Sequence, residues 1–264
     1  MKQSFYNNVM KKYTITGLLL VMIPVFMNGQ KVIFEENFDG SELNMDHWSY
    51  EEGNGCPDLC GWGNNERQSY NREYVSVEDG KLVIEAVKER DKYYSGKIIS
   101  KDKVEFQYGE IEVRVNVPEG HGIWPALWML GNDINQVGWP ASGEIDIMEY
   151  VGREPNTVYT TLHYPAHHGE NASSKKTNID NIEEGYHVFK VIWTADNIEF
   201  FVDGNSVYNF IPEKYDAEHY PFRKPFYFLI NMAVGGNFGG PEVDDSIFPK
   251  KYYVDYIKVT ALEE

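Results

Sequence analysis

Cysteine is nearly absent from this chain: it supplies two of 264 residues, Cys56 and Cys60. That excludes a small scaffold held by many disulfides and any metal site built from three or four thiolates. Cations are also scarce, 24 Lys and Arg against 41 Asp and Glu, for a formal charge of −17. A surface so acidic repels phosphate backbones and anionic membranes, so nucleic acid is not expected as a partner and a neutral or cationic one is. Beyond residue 27 no apolar run is long enough to cross a bilayer, and no repeat, low-complexity linker or long helical periodicity appears. What is present is 42% hydrophobic and 15% aromatic, enough for one large core.

The single long apolar run, from about Ile15 to Met27, follows Lys2, Lys11 and Lys12 and precedes Asn28, Gly29 and Gln30. It reads as a secretory signal peptide over residues 1–29, with an uncleaved anchor helix as the alternative. No cysteine stands at its end to carry a lipid, so the expected location is secreted or periplasmic, without membrane contact after cleavage. Loss of its three lysines takes the formal charge from −17 to −20. In an exported protein, Cys56 and Cys60 of "GCPDLCGW" are expected to form a disulfide that stiffens a loop.

The remaining chain, residues 30–264, reads as one domain of strands. In "EFQYGEIEVRVNVP" the polar Glu110, Glu112, Arg114 and Asn116 alternate strictly with Ile111, Val113 and Val115. "KLVIEA", "HVFKVIW", "IEFFVDG" and "YYVDYIKVTA" behave alike, and "VDGNSV" at Val202–Val207 suits a hairpin turn. The fold class is therefore all-β, two antiparallel sheets packed face to face.

"SGEIDIMEYVG" crowds Glu144, Asp146 and Glu149 into six residues and breaks its own alternation before the last. A β-bulge with Ile147 and Met148 opposite one partner residue would return Glu149 to the face of Glu144 and Asp146. The carboxyl groups of Glu144 and Glu149 would then come within about 5–6 Å, near the separation that retaining glycosidases need. Three acids on one face cannot all ionise cheaply, so at least one should keep its proton near neutral pH, as a general acid must. The same letters also fit a solvated acidic edge, or an oxygen-rich divalent metal site completed by His163. Elsewhere the chain carries Trp124 and Trp128 in "GHGIWPALWMLG", and Trp62, Asn64, Asn65, Glu66, Gln68 and Tyr70 in "GWGNNERQSYN". Rings beside amides and carboxylates suit sugars, whose C–H faces stack while their hydroxyls find polar partners.

Together with "FEENFDG", "FFVDG", "FLINMAVGGNFGG" and "VDYIKV", these stretches make the sequence resemble the family 16 glycoside hydrolases, and among them the bacterial laminarinase-like endo-β-1,3-glucanases. The resemblance runs over nearly the whole mature chain. It implies a β-jelly-roll sandwich with a concave substrate cleft, and double displacement with Glu144 as nucleophile, Glu149 as acid/base and Asp146 in support. It makes His163 a helper at the catalytic site rather than a metal ligand, and Asn64, Trp124, Trp128 and Asn231 substrate contacts. Glu112 and Arg114 match the family's cleft-facing strand. A structural Ca²⁺ is implied at Glu36, the Gly80 carbonyl and Asp255, with no cofactor for catalysis. Lys97 departs from the pattern: arginine is common there, and lysine keeps the charge without the bidentate geometry. The expected substrate is laminarin-type β-1,3-glucan, with mixed-linkage β-1,3/1,4-glucan as the competitor, and the expected state is a monomer. The alternatives are a lectin-like sandwich without catalysis and a related enzyme acting on another polysaccharide.

Overall fold

Alternation in single strands dictates the layers. Ile111, Val113 and Val115 of the strand Gly109–Asn116 are buried while the charged residues between them stay half-exposed, so the strand needs a second sheet over its apolar side. The computed structural model, which describes residues 30–262, supplies it. The expected signal peptide, residues 1–29, lies outside the described residues.

One sheet has eight strands, in the order Ser173–Asn178, Thr157–His163, Glu144–Tyr150, Ile123–Gly131, Phe226–Val234, Lys97–Ile99 and Ser49–Tyr50, with Glu105–Phe106 beside Phe226–Val234. The other has ten. Its path runs Asn205–Phe210, Ile198–Val202, His187–Trp193, Gly109–Asn116, Lys250–Thr260, Leu82–Glu89, Lys92–Ser95 and Gln68–Tyr70. Val32–Glu36 pairs with Lys250–Thr260, and Val75–Val77 with Leu82–Glu89. The pairing is antiparallel as expected except between Gln68–Tyr70 and Lys92–Ser95, which run parallel, so the ten-stranded sheet is mixed. The fold is an all-β jelly-roll sandwich. Among the described residues the only α-helices are the four-residue turns Ile134–Val137 and Gly236–Gly239.

Asp203 and Gly204 form the two-residue hairpin loop read from the sequence, both at positive φ (48° and 78°) as a type I′ turn requires. Between the sheets, Leu127, Met129, Ile145, Met148, Phe228 and Ile230 meet Ile84, Val113, Val191 and Ile257, all fully buried. Each such side chain contributes about 1.5–3 kcal/mol relative to exposure. With that side sealed, the opposite face of the eight-stranded sheet is left as the floor of the cleft.

Two groups of loops frame this floor. Cys56 and Cys60 are joined by the expected disulfide. The loop that follows is tied to the glycine-rich segment after Val234: Arg67 N–H donates to the Val234 carbonyl, Asn237 N–H to the Asn64 carbonyl, and Asn65 to the Asn237 side chain. Close backbone approach fixes the end of the acidic strand, where a Cβ on Gly152 would lie 1.6 Å from the Gly120 carbonyl oxygen. Only glycine fits there.

Candidate active site

In the strand Glu144–Tyr150 the register shifts between Asp146 and Glu149. Asp146 faces Thr161 and Glu149 faces Tyr159, which leaves Ile147 and Met148 together opposite Thr160. On the other side Glu144 faces Leu130, Asp146 faces Trp128 and Glu149 faces Ala126. The bulge expected from the broken alternation is present. It keeps three carboxylates on the floor of the cleft and sends Ile145, Ile147 and Met148 into the core. Without it Glu149 would turn inward, and an unpaired charge in such a core costs several kcal/mol.

Each acid has its own partners. Trp124 Nε1 donates to Glu149 Oε1 at 3.1 Å, and Thr161 Oγ1 donates to Glu149 Oε2 at 3.2 Å. Trp139 Nε1 donates to Glu144 Oε2 at 3.0 Å. His163 Nε2 lies 3.4 Å from Asp146 Oδ2 and 3.8 Å from Glu144 Oε1. Asp146 Oδ2 is buried without a hydrogen-bond partner.

Burial foremost, then the neighbouring Asp146 charge, pushes the carboxyls of Glu144 and Glu149 up to about 8. Burial pushes Asp146 to about 8 as well. Groups this close titrate as one cluster, which keeps protons at neutral pH. One carboxylate able to attack beside one carboxylic acid able to donate is therefore within reach of a single strand face.

A chain of hydrogen bonds runs across the sheet from Trp128, the neighbour of Asp146 on the next strand. Trp128 Nε1 donates to Asn231 Oδ1 at 2.8 Å, and Asn231 Nδ2 donates to the Tyr70 hydroxyl at 3.0 Å. Tyr70 donates to Glu66 Oε2 at 3.2 Å, Gln68 donates to the same oxygen at 2.6 Å, and Asn64 donates to Glu66 Oε1 at 3.2 Å. Asn64, Trp128 and Asn231, distant in sequence, thus belong to one network. Lys97 stands opposite Asn231 and is buried, its Nζ 2.7 Å from Glu51 Oε2 and 4.2 Å from the Trp62 ring centroid. A single carboxylate partner leaves the lysine donors to spare.

Sequence reasoning missed Trp139, Thr161 and Glu51. Thr161 could have been found from period-two spacing with His163 on one strand. Trp139 acts through the turn that folds residues 138–143 back onto Glu144, and nothing in its spacing announces that.

One expectation needs correction. Glu112 and Arg114 do share a face, but their strand belongs to the ten-stranded sheet, and that face is turned away from the core. There Arg114 pairs with Asp255 and lies over the Tyr186 ring at 4.5 Å, while the Tyr256 hydroxyl donates to Glu112 Oε1 at 2.6 Å. They are not cleft residues. Alternation reports the face of a strand and is silent about which sheet the strand joins. For the calcium set, register does bring the three residues to one stretch: Glu36 faces Ile257 and Leu82 faces Val254. The Glu36 carboxylate is engaged, however, by the Phe38 N–H at 3.0 Å, by Trp48 Nε1 at 3.1 Å and by His47 Nδ1 at 2.8 Å. A cation held here would have to take the Glu36 carbonyl rather than its side chain, and Asp255 would have to leave Arg114.

A match to Glycosyl hydrolases family 16 spans residues 63–258. The chain is 37% identical over 257 residues to glucan endo-1,3-beta-glucosidase A1 of Niallia circulans, a match covering 88% of this chain and 38% of that protein. It is 35% identical over 246 residues to a beta-glucanase of Rhodothermus marinus, covering 87% of this chain and 84% of the relative. The crystal structure of a laminarinase from Flavobacterium sp. UMI-01 superposes with a TM-score of 0.85 at 54% identity, covering 87% of this chain and all of that one.

Proposed function

This chain belongs to glycosyl hydrolase family 16, and from that premise we propose that it is an endo-acting, retaining β-glucanase that cleaves β-1,3-glucosidic linkages of laminarin-type glucan. The observation that carries the reading is the bulged strand, which presents Glu144 and Glu149 on one face about Asp146, each with an indole N–H on one oxygen.

In the first step Glu149 protonates the glycosidic oxygen as Glu144 attacks the anomeric carbon, and the leaving chain departs with that proton. In the second step Glu149 takes a proton from water, which displaces Glu144 and regenerates both groups with the β-anomer retained. The Trp124 and Thr161 donors orient Glu149 between steps, and Trp139 stabilises Glu144 when it carries charge. A sugar-binding sandwich without catalysis would have no use for an acid cluster buried at such electrostatic cost.

Trp124 and Trp128, and the network joining Trp128 to Asn64 and Asn231, support a preference for the curved β-1,3 chain, with mixed-linkage β-1,3/1,4-glucan accepted next to its β-1,3 bonds. Purified protein incubated with laminarin should give short oligosaccharides by internal cleavage, while cellulose is left intact. Early proton NMR should show the β-anomer. Efficient cleavage of pure β-1,4-glucan, or inversion, would sink this reading.

The protein works, on this proposal, as a secreted or periplasmic monomer once residues 1–29 are removed. A calcium ion at Asp255 and the carbonyls of Glu36 and Gly80 is part of the same proposal, and it is structural. Saturation at a hundred times Kd would stabilise the fold by about 2.7 kcal/mol. At about 2–4 °C per kcal/mol, chelation should lower Tm by roughly 5–10 °C. A melting curve indifferent to both chelator and added calcium removes the ion from the account.

A further inference from the structure

We infer that this chain carries a second sugar site outside the cleft, a small cavity at the seam of the two sheets that takes one uncharged pyranose ring. The cavity lies where Ser173–Asn178, the edge strand of the eight-stranded sheet, meets Asn205–Phe210, the edge strand of the ten-stranded one. The Ser173 and Tyr208 hydroxyls share a hydrogen bond of 2.7 Å across that seam. The space measures about 230 Å³. That is below the roughly 300–1,000 Å³ of sites for drug-sized ligands, and it suits one ring rather than an oligosaccharide.

The walls divide as the surface of a sugar does. On one side stand Tyr164 and Phe210, both buried, with ring centroids 5.4 Å apart, and the exposed Ile211 lies beside them. Polar residues supply the rest: Ser173, Glu213, His167 and His219. Burial foremost holds the Tyr164 hydroxyl above its ordinary value of 10, so it stays protonated and able to donate. Both histidines are anchored by one ring nitrogen. His167 Nδ1 donates to the Asn171 carbonyl at 3.3 Å, and His219 Nδ1 to Asp216 Oδ1 at 2.7 Å. Each ring then has Nε2 left as its remaining polar atom. An apolar flank beside hydroxyl, carboxylate and imidazole groups matches the C–H face and hydroxyl rim of a pyranose. An anionic guest would meet the Glu213 charge, and an apolar one would strand the polar groups without partners.

This cavity is separate from the cleft. Tyr164 follows His163 directly, but successive side chains of an extended chain point to opposite faces. His163 stands by the acids, and Tyr164 joins the core. Backbone hydrogen bonds hold the turn that follows. Tyr164 and His167 exchange two of them, 2.9 Å each, and Ala166 N–H donates to the carbonyl of Glu218, the neighbour of His219, at 3.0 Å. The next residue, His168, lies against Trp139 instead.

Titrating D-glucose or laminaritriose into the Glu149→Gln protein tests the site without relying on hydrolysis. The imidazole ¹H–¹⁵N signals of His167 and His219, assigned by single substitutions, should shift saturably with millimolar Kd, as so few contacts imply. A response to both sugars supports the site and identifies a glucan chain end as its guest, whereas a response to glucose alone supports it with the free sugar as guest. Glu213→Ala, at an exposed position, and Ser173→Ala should each weaken binding by about 10-fold, the worth of a hydrogen bond. Laminarin hydrolysis by the same two variants, made with Glu149 intact, should be unchanged. Histidine rings that stay silent under sugar far above millimolar, shifts that neither variant weakens, or shifts confined to the indoles of the cleft would overturn the inference.

Discussion

Glu144→Gln and Glu149→Gln should each lower kcat on laminarin by on the order of 10⁴-fold or more while the fold survives. Both substitutions keep volume and shape, and an amide accepts the same indole N–H through its oxygen, so Trp139 and Trp124 lose no partner. What each removes is a reactive group: the attacking oxygen in one case, the proton in the other. Azide tells them apart. With Glu144→Gly a small anion enters from the side the nucleophile vacates, giving partial recovery and an inverted product. With Glu149 replaced, azide instead intercepts the covalent intermediate and the product keeps its configuration. Circular dichroism and near-native melting would certify the fold, and substantial activity in either glutamine variant would remove the assignment.

The same acids should make the protein less stable as pH rises. The folded carboxyls of Glu144, Asp146 and Glu149 are pushed up to about 8, from ordinary values of 4.5, 3.8 and 4.5. Between those limits the folded state holds protons that the unfolded state has released. Stability is therefore full below about pH 4 and is lost as pH climbs through about 8, the reverse of the usual carboxylate case. One carboxyl displaced that far corresponds to roughly 5 kcal/mol. Denaturant melts at pH 5 and pH 8.5 should show the wild type losing more stability across this range than Glu149→Gln. The variant should be the more stable protein at pH 8.5 and nearly equal at pH 5. Activity should fall over the same alkaline range, as Glu149 gives up the proton it must donate. Parallel stability curves for the two proteins would mean that the cluster does not hold its protons.

Much of this was legible in the chain. The bulge was written as a break in alternation at Ile147 and Met148, because period two leaves no other way to keep Glu149 beside Glu144. The strands and the Asp203–Gly204 hairpin were likewise local. What escaped was non-local. Glu51 lies on Lys97 across 46 residues of chain, the parallel pairing of Gln68–Tyr70 with Lys92–Ser95 depends on what surrounds both strands, and Glu112 and Arg114 went to the other sheet. Face is a property of a strand, whereas sheet membership is a property of the whole fold.

The doubled position at Ile147 and Met148 also bears on descent. Elsewhere in a strand, losing one codon inverts every side chain beyond the cut and buries what should be wet. Here the loss of Ile147 would leave Glu144, Asp146 and the following glutamate in step, with Tyr150 still directed inward beside a single apolar neighbour in place of two. The reading frame of the sheet, unlike that of the gene, tolerates a one-residue deletion at this bulge. A version of the acidic motif one residue shorter can therefore be reached in a single event that never passes through a protein with its acids facing the wrong way.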